Sequence, residues 1–206
     1  MLTLIGREIH DNLAYVVGLC LISAMIIAIL VCTSIWDTQE VVFVSSGALL
    51  ALLLFGFYAF GAGQMYSDRA NRVSSLLATR AATRGRIFAA RVLVGVLTIL
   101  LTLIPGMVVA IAVLWAFAVP LEFFRRVIAE ISLTIVLTAL ACYSGGLVAG
   151  WTVNKARLMG GGLFLSLLVA SLVWIKGFGV GAALLLLVIV AALLWRTWRT
   201  FTSASL

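Results

Sequence analysis

Hydrophobic and polar positions in this chain are grouped by whole segments and do not alternate residue by residue. Apolar runs cover 13–33, 41–63, 92–117, 127–151, 158–174 and 178–195, separated by short polar stretches. Each is near the ~20 residues that cross a ~30 Å hydrocarbon layer as a helix. Strand-like alternation is absent, and lipid admits only helices or closed barrels. The pattern therefore predicts an all-α polytopic membrane protein with six transmembrane helices. Ahead of the first run, Leu2, Ile5 and Ile9 share a helical face that Leu13 extends, while Arg7, Glu8, His10 and Asp11 cover the other side. Residues 1–12 thus predict an N-terminal interfacial helix. The first run is too long for a signal-peptide core and lacks a clear small-residue cleavage site, so it reads as a retained span. The whole chain, 1–206, reads as a single transmembrane domain.

One polar interval stands apart. Residues 64–91 hold Arg69, Arg72, Arg80, Arg84, Arg86 and Arg91, six of the fourteen basic residues. Val73, Leu76 and Leu77 recur at helical spacing, which gives the interval an apolar side suited to headgroups or a partner protein. Asp68 precedes Arg72 by four residues, the favourable order for a helical ion pair. Thr83 is placed to cap a second helix that runs through Ile87 and Phe88 into the next span. The expected geometry is helix, short break, helix.

Charge sets the orientation. With both termini inside, eleven of the fourteen Lys and Arg residues fall on the cytoplasmic side and three, Arg125, Arg126 and Lys176, fall outside. Basic residues near span ends decide topology, so 64–91 is expected in the cytoplasm and the protein in the cytoplasmic (inner) membrane. The net charge of +7 suits an inner-leaflet lipid surface. No aromatic-plus-basic platform for nucleic acid appears.

Composition agrees with a lipid solvent: 65% of residues are hydrophobic, 10% are charged, and mean hydropathy is +1.26. Cys20, Cys32 and Cys142 lie inside apolar runs without C-x-x-C spacing and read as small buried hydrophobes. His10 is the single histidine, which leaves it no partner for a metal site. No P-loop, H-E-x-x-H, G-x-S-x-G or carboxylate cluster at metal-ligand spacing is present. The chain is therefore expected to be no enzyme and to carry no cofactor of its own.

Several residues inside the spans ask for a reason. Pro105-Gly106 predicts a kink in the third span, either a gating hinge or a static bend. Glu130 lies about one turn inside the fourth. An intramembrane carboxylate is a functional candidate, and pairing with Arg126, four residues earlier, is the structural alternative. Gly56, Gly61 and Gly63, and the G-x-x-x-G of Gly146 and Gly150, predict close helix packing. Gly177, Gly179 and Gly181 suggest an irregular start to the sixth span. Trp195 and Trp198, beside Arg196 and Arg199, read as interfacial anchors.

Asp68, Leu76-Leu77, Thr83-Arg84 and the basic Arg91 follow the coupling-segment pattern of one family, and the chain resembles the permease subunits of type-2 ABC transporters. The haem-exporter permeases of cytochrome c maturation are of similar length. Asn71 replaces the pattern's glycine, and no proline stands near Arg80-Ala81. Only a turn at Lys176 is available where that family often has re-entrant helices, which implies a reduced member. The resemblance implies a separate cytoplasmic ABC ATPase, carrying ATP and Mg, that docks on Ser75, Leu76, Leu77, Arg80, Thr83, Arg84 and Arg86. It also implies a second permease copy or related permease, and export of an apolar or amphiphilic cargo. A non-transporting scaffold or assembly factor, or a small channel, are the other readings of a membrane body with a cytoplasmic handle.

Overall fold

A computed structural model of the chain describes residues 10, 13–36, 39–70, 84–116, 121–151, 155–176 and 179–203. Every regular element among them is an α-helix: α1 Leu13–Trp36, α2 Gln39–Ala70, α3 Arg84–Ala116, α4 Leu121–Ala149, α5 Lys155–Lys176 and α6 Val180–Ser203. Apart from His10, which is exposed, the expected interfacial helix at 1–12 lies outside the described residues. Among the described residues three stretches are long and apolar enough to cross a membrane: Gly85–Ala112 in α3, Arg126–Ala149 in α4 and Val180–Thr202 in α6. Shorter apolar stretches occupy Leu13–Ile29, Leu50–Tyr66 and Met159–Val169. The chain is therefore a helical protein with membrane-spanning character.

Helix α4 is the centre. Within its apolar window 61% of residues are buried, against 33% in α3 and 22% in α6. It packs most extensively on α2, then on α6, and also touches α3 and α5, while α1 lies against α2 and α3. The main core joins Leu53, Phe57, Phe60 and Met65 of α2 to Val94 and Ile99 of α3 and to Tyr143 and Leu147 of α4. A smaller cluster, Ala141, Val169 and Leu186, fills the junction of α4, α5 and α6. Large apolar side chains such as Leu101 and Val108 of α3, Phe164 of α5 and Val188 of α6 face outward. Outward apolar faces suit a lipid environment, where burial itself drives helix association little and close packing matters more.

The α2–α4 seam shows how that closeness arises. A Cβ on Gly146 would lie 2.9 Å from the Ala62 amide nitrogen and nearer still to the Tyr58 carbonyl oxygen. One on Gly150 would lie 2.6 Å from the Ala62 carbonyl oxygen, and one on Gly61 would meet the Tyr143 carbonyl. These glycines let two backbones touch, so the G-x-x-x-G works within the chain, between α2 and α4.

Helix ends depart from the sequence reading. Helix α2 continues past residue 63 to Ala70, while α3 begins at Arg84, where the helix expected after Thr83 runs through Ile87 and Phe88 into the span. Polar residues end an apolar run, but a backbone ladder continues wherever its side chains find a packed face. Gln64, Met65, Ile87, Phe88 and Arg91 do so and are all buried. Likewise α4 starts at Leu121, just after Pro120, so Arg125 and Arg126 stand in its first turns and not in a loop. Lys155 and Lys176 begin and end α5, and α6 extends to Ser203.

Candidate functional site

The roots of the cationic segment meet at a junction of three helices. Helix α2 delivers Gln64 and Met65 to one end of the bundle, and α3 starts at the same end with Ile87, Phe88 and Arg91. Tyr143 of α4 joins them. A Cβ on Gly61 of α2 would strike Tyr143, and one on Gly95 of α3 would enter its ring, so the phenol threads between two glycines. Its hydroxyl thereby comes within 2.8 Å of Gln64 Oε1 and 3.1 Å of the Arg91 carbonyl oxygen. All three side chains are buried, Tyr143 at 1% exposure, Arg91 at 2% and Gln64 at 3%.

A phenol has one proton and cannot donate to both oxygens. With the amide placed so, Gln64 Nε2 is buried without a hydrogen-bond partner. Turning the amide over, an assignment left to the hydrogen-bond network, resolves the double donation and leaves the amide oxygen in the position without a partner. Nε2 then donates to the Tyr143 oxygen, and the Tyr143 hydroxyl donates to the Arg91 carbonyl. The chain of bonds ties α2 to α4 and α4 to α3. Arg91 adds a contact back to α2, its Nη1 lying 3.7 Å from Met65 Sδ. The sequence places Arg91 with the cytoplasmic charges; in the structure its guanidinium is inside the bundle.

Aromatic rings extend the brace to α6. Phe88 of α3 meets Trp198 edge-on at 5.4 Å between centroids and Phe201 at 6.0 Å, and Phe201 meets Trp151 at 6.2 Å. Trp198 is thus half-buried and packed against the core, whereas Trp195 is 64% exposed. The difference is helical phase, since three residues turn a side chain through about 300°.

The sequence-predicted docking residues divide around this junction. Ser75, Leu76, Leu77, Arg80 and Thr83 lie outside the described residues. Arg84 opens α3, directly after the proposed cap, and Arg86 is exposed on its first turn.

Away from this end, Arg126 Nε donates to Glu130 Oε1 at 3.0 Å. Their side chains are 86% and 26% exposed, so the pair contributes at most about 0.5 kcal/mol. It gives the Glu130 carboxylate a structural partner.

Helix α3 runs through Pro105 without interruption. Proline removes the amide that would bond Leu101 and distorts the turn that includes the Thr102 carbonyl. Ser23 of α1 donates to that carbonyl at 2.6 Å. A hydroxyl from a neighbouring helix thus bonds the carbonyl next to the one that the proline leaves without its amide partner. By contrast Thr98, Thr102, Thr134, Thr138 and Ser166 donate to carbonyls of their own helices. Pro105 itself is exposed and Gly106 half-buried, and α1 meets this stretch from one side through Ser23 and Ile27.

Sequence reading missed both the Gln64–Tyr143–Arg91 chain and the Ser23 clasp. Each joins residues 52 to 79 positions apart, and no local period connects them. The available signal was weak: a tyrosine within an apolar run, and glycines at 61 and 95 with no assigned neighbour.

Cys142 is buried and Cys20 half-buried, both as free thiols. No group of three His, Cys, Asp or Glu side chains converges among the described residues. No protein-family model, curated protein or solved structure matches this chain.

Proposed function

We propose that this chain is the membrane-spanning permease subunit of an ATP-driven transporter, receiving force from a separate cytoplasmic ATPase through the segment between α2 and α3. One observation carries the reading. Both roots of that segment are buried and braced, through Gln64, Tyr143 and Arg91 onto α4 and through Phe88, Trp198 and Phe201 onto α6. A push on the segment would therefore be delivered to the central helix and would not be absorbed by loose loop ends.

In this reading all six helices span the membrane. Helices α1, α2 and α5 have 24, 32 and 22 residues, about 36, 48 and 33 Å at 1.5 Å per residue, enough for a ~30 Å core. The strong excess of Lys and Arg then puts both termini and the segment in the cytoplasm of a cell with an inner membrane. Leu76 and Leu77 anchor the ATPase, with Ser75, Arg80, Thr83, Arg84 and Arg86 around them, and a second permease completes the pathway. The largely apolar lengths of α1, α2 and α5 favour an apolar or amphiphilic cargo.

The test is to purify the protein from its native membrane in mild detergent and measure ATP hydrolysis, for the native chain and for Leu76→Asp/Leu77→Asp. A P-loop ATPase should co-purify with the native chain and be lost from the variant. Its absence under conditions that keep membrane complexes together would overturn the permease reading and leave a scaffold or channel.

A further inference from the structure

The outer face of α6 changes character over one turn. Leu184, Leu187 and Val188 are exposed apolar side chains, 60%, 53% and 65% accessible, and Ala191 and Ala192 continue that side. Trp195 follows, and then Arg196 and Arg199, both exposed. The opposite face stays inside, with Thr197 fully buried and Trp198 and Phe201 packed on Phe88. An open concavity of about 560 Å³ lies along this end, lined among the described residues by Trp195, Arg196, Arg199, Thr200 and Thr202.

We infer that Trp195, Arg196 and Arg199 form a binding site for the phosphodiester headgroup of an anionic membrane lipid. The apolar stripe fixes where the acyl chains lie, and the indole marks the depth of the headgroups. One and four residues beyond it stand two guanidiniums, Arg196 and Arg199, neighbours on one helix face. Neither makes an ion pair with a carboxylate among the described residues. Guanidiniums bind phosphate oxygens in bidentate fashion, and Thr200 and Thr202 leave that task to them because their hydroxyls already donate to the Arg196 and Trp198 carbonyls. Phosphate is the chemistry recognised. The adjoining stripe selects a lipid over free phosphate, since it holds the acyl chains of the same ligand. This inference rests on the membrane location of α6 and is independent of the transport reading.

Native mass spectrometry of the full-length protein, released from detergent with added phosphatidylglycerol or phosphatidylcholine, tests it. The native chain should retain phosphatidylglycerol in preference, and millimolar inorganic phosphate should not displace it. Arg196→Gln/Arg199→Gln should weaken phosphatidylglycerol binding about 5-fold per arginine, some 25-fold in all, with an unchanged far-ultraviolet circular dichroism spectrum. Arg196→Lys/Arg199→Lys should show a preference between those of the native chain and the glutamine variant, since lysine keeps the charge and loses the fork. Equal retention of the two lipids by the native chain, or an undiminished preference in the glutamine variant, would each overturn the site. Displacement by inorganic phosphate would overturn the lipid assignment in favour of a free phosphate ligand.

Discussion

Replacing Gly146 by alanine reverses the usual effect of that substitution in a helix. Alanine ordinarily gains up to about 1 kcal/mol over glycine inside a helix. At Gly146 the new methyl would sit 2.9 Å from the Ala62 amide nitrogen, where ordinary contact begins near 3.4 Å, and closer still to the Tyr58 carbonyl. Both obstacles are backbone, so no rotamer change relieves them. The α2–α4 seam must part by at least about 0.5 Å, and a gap of that size forfeits roughly a quarter of the dispersion well for every atom pair along it. Overpacking of this kind costs about 1–3 kcal/mol, and rigid backbone on both sides places it in the upper half. The net expectation is a loss of about 1–2 kcal/mol, 5- to 30-fold in the unfolding constant. Gly160→Ala is the internal control, because that helical glycine has nothing within 4 Å of the new methyl; it should be neutral or stabilising. Reversible unfolding in mixed micelles, titrated with sodium dodecyl sulfate and followed by circular dichroism, reads both. If Gly146→Ala matched Gly160→Ala in sign and size, the intimate α2–α4 contact would be wrong.

Two further outcomes follow from the cross-helix bonds. Tyr143→Phe removes the hydroxyl between Gln64 and the Arg91 carbonyl and leaves buried polar groups short of a partner, at about 1–3 kcal/mol. In the same titration Gln64→Leu/Tyr143→Phe should lose less than the sum of the two single changes, because the partners share one bond chain. Ser23→Ala uncovers the Thr102 carbonyl beside Pro105 and should cost about 0.6–1.7 kcal/mol. It should also speed amide hydrogen exchange locally around residues 102–106, whereas Ser171→Ala, which removes an exposed bond within α5, should leave that region unchanged.

Much of the architecture was legible in the pattern of apolar runs. Segments of this length must satisfy their backbone internally in lipid, so helices follow without any knowledge of neighbours. The glycines of 146 and 150 announced a close contact for the same reason, since small residues are what such contacts need. The Arg126–Glu130 pair was visible because helical geometry alone brings residues four apart together.

What the sequence by itself determined, then, was local: six helices among the described residues, their approximate extents, and the pairs one helical turn apart. Tertiary structure decided everything that depends on which helices meet. It carried α2 past its apolar limit, where Gln64 found buried surroundings, and it took the Arg91 side chain inside the bundle. It turned Trp198 inward onto Phe88 while Trp195 stayed outside. It also joined Tyr143 to Gln64, 79 positions away, and Ser23 to the carbonyl beside Pro105. A polar side chain in an apolar run advertises an unmet hydrogen bond, but only the packing of one helix on another supplies the partner.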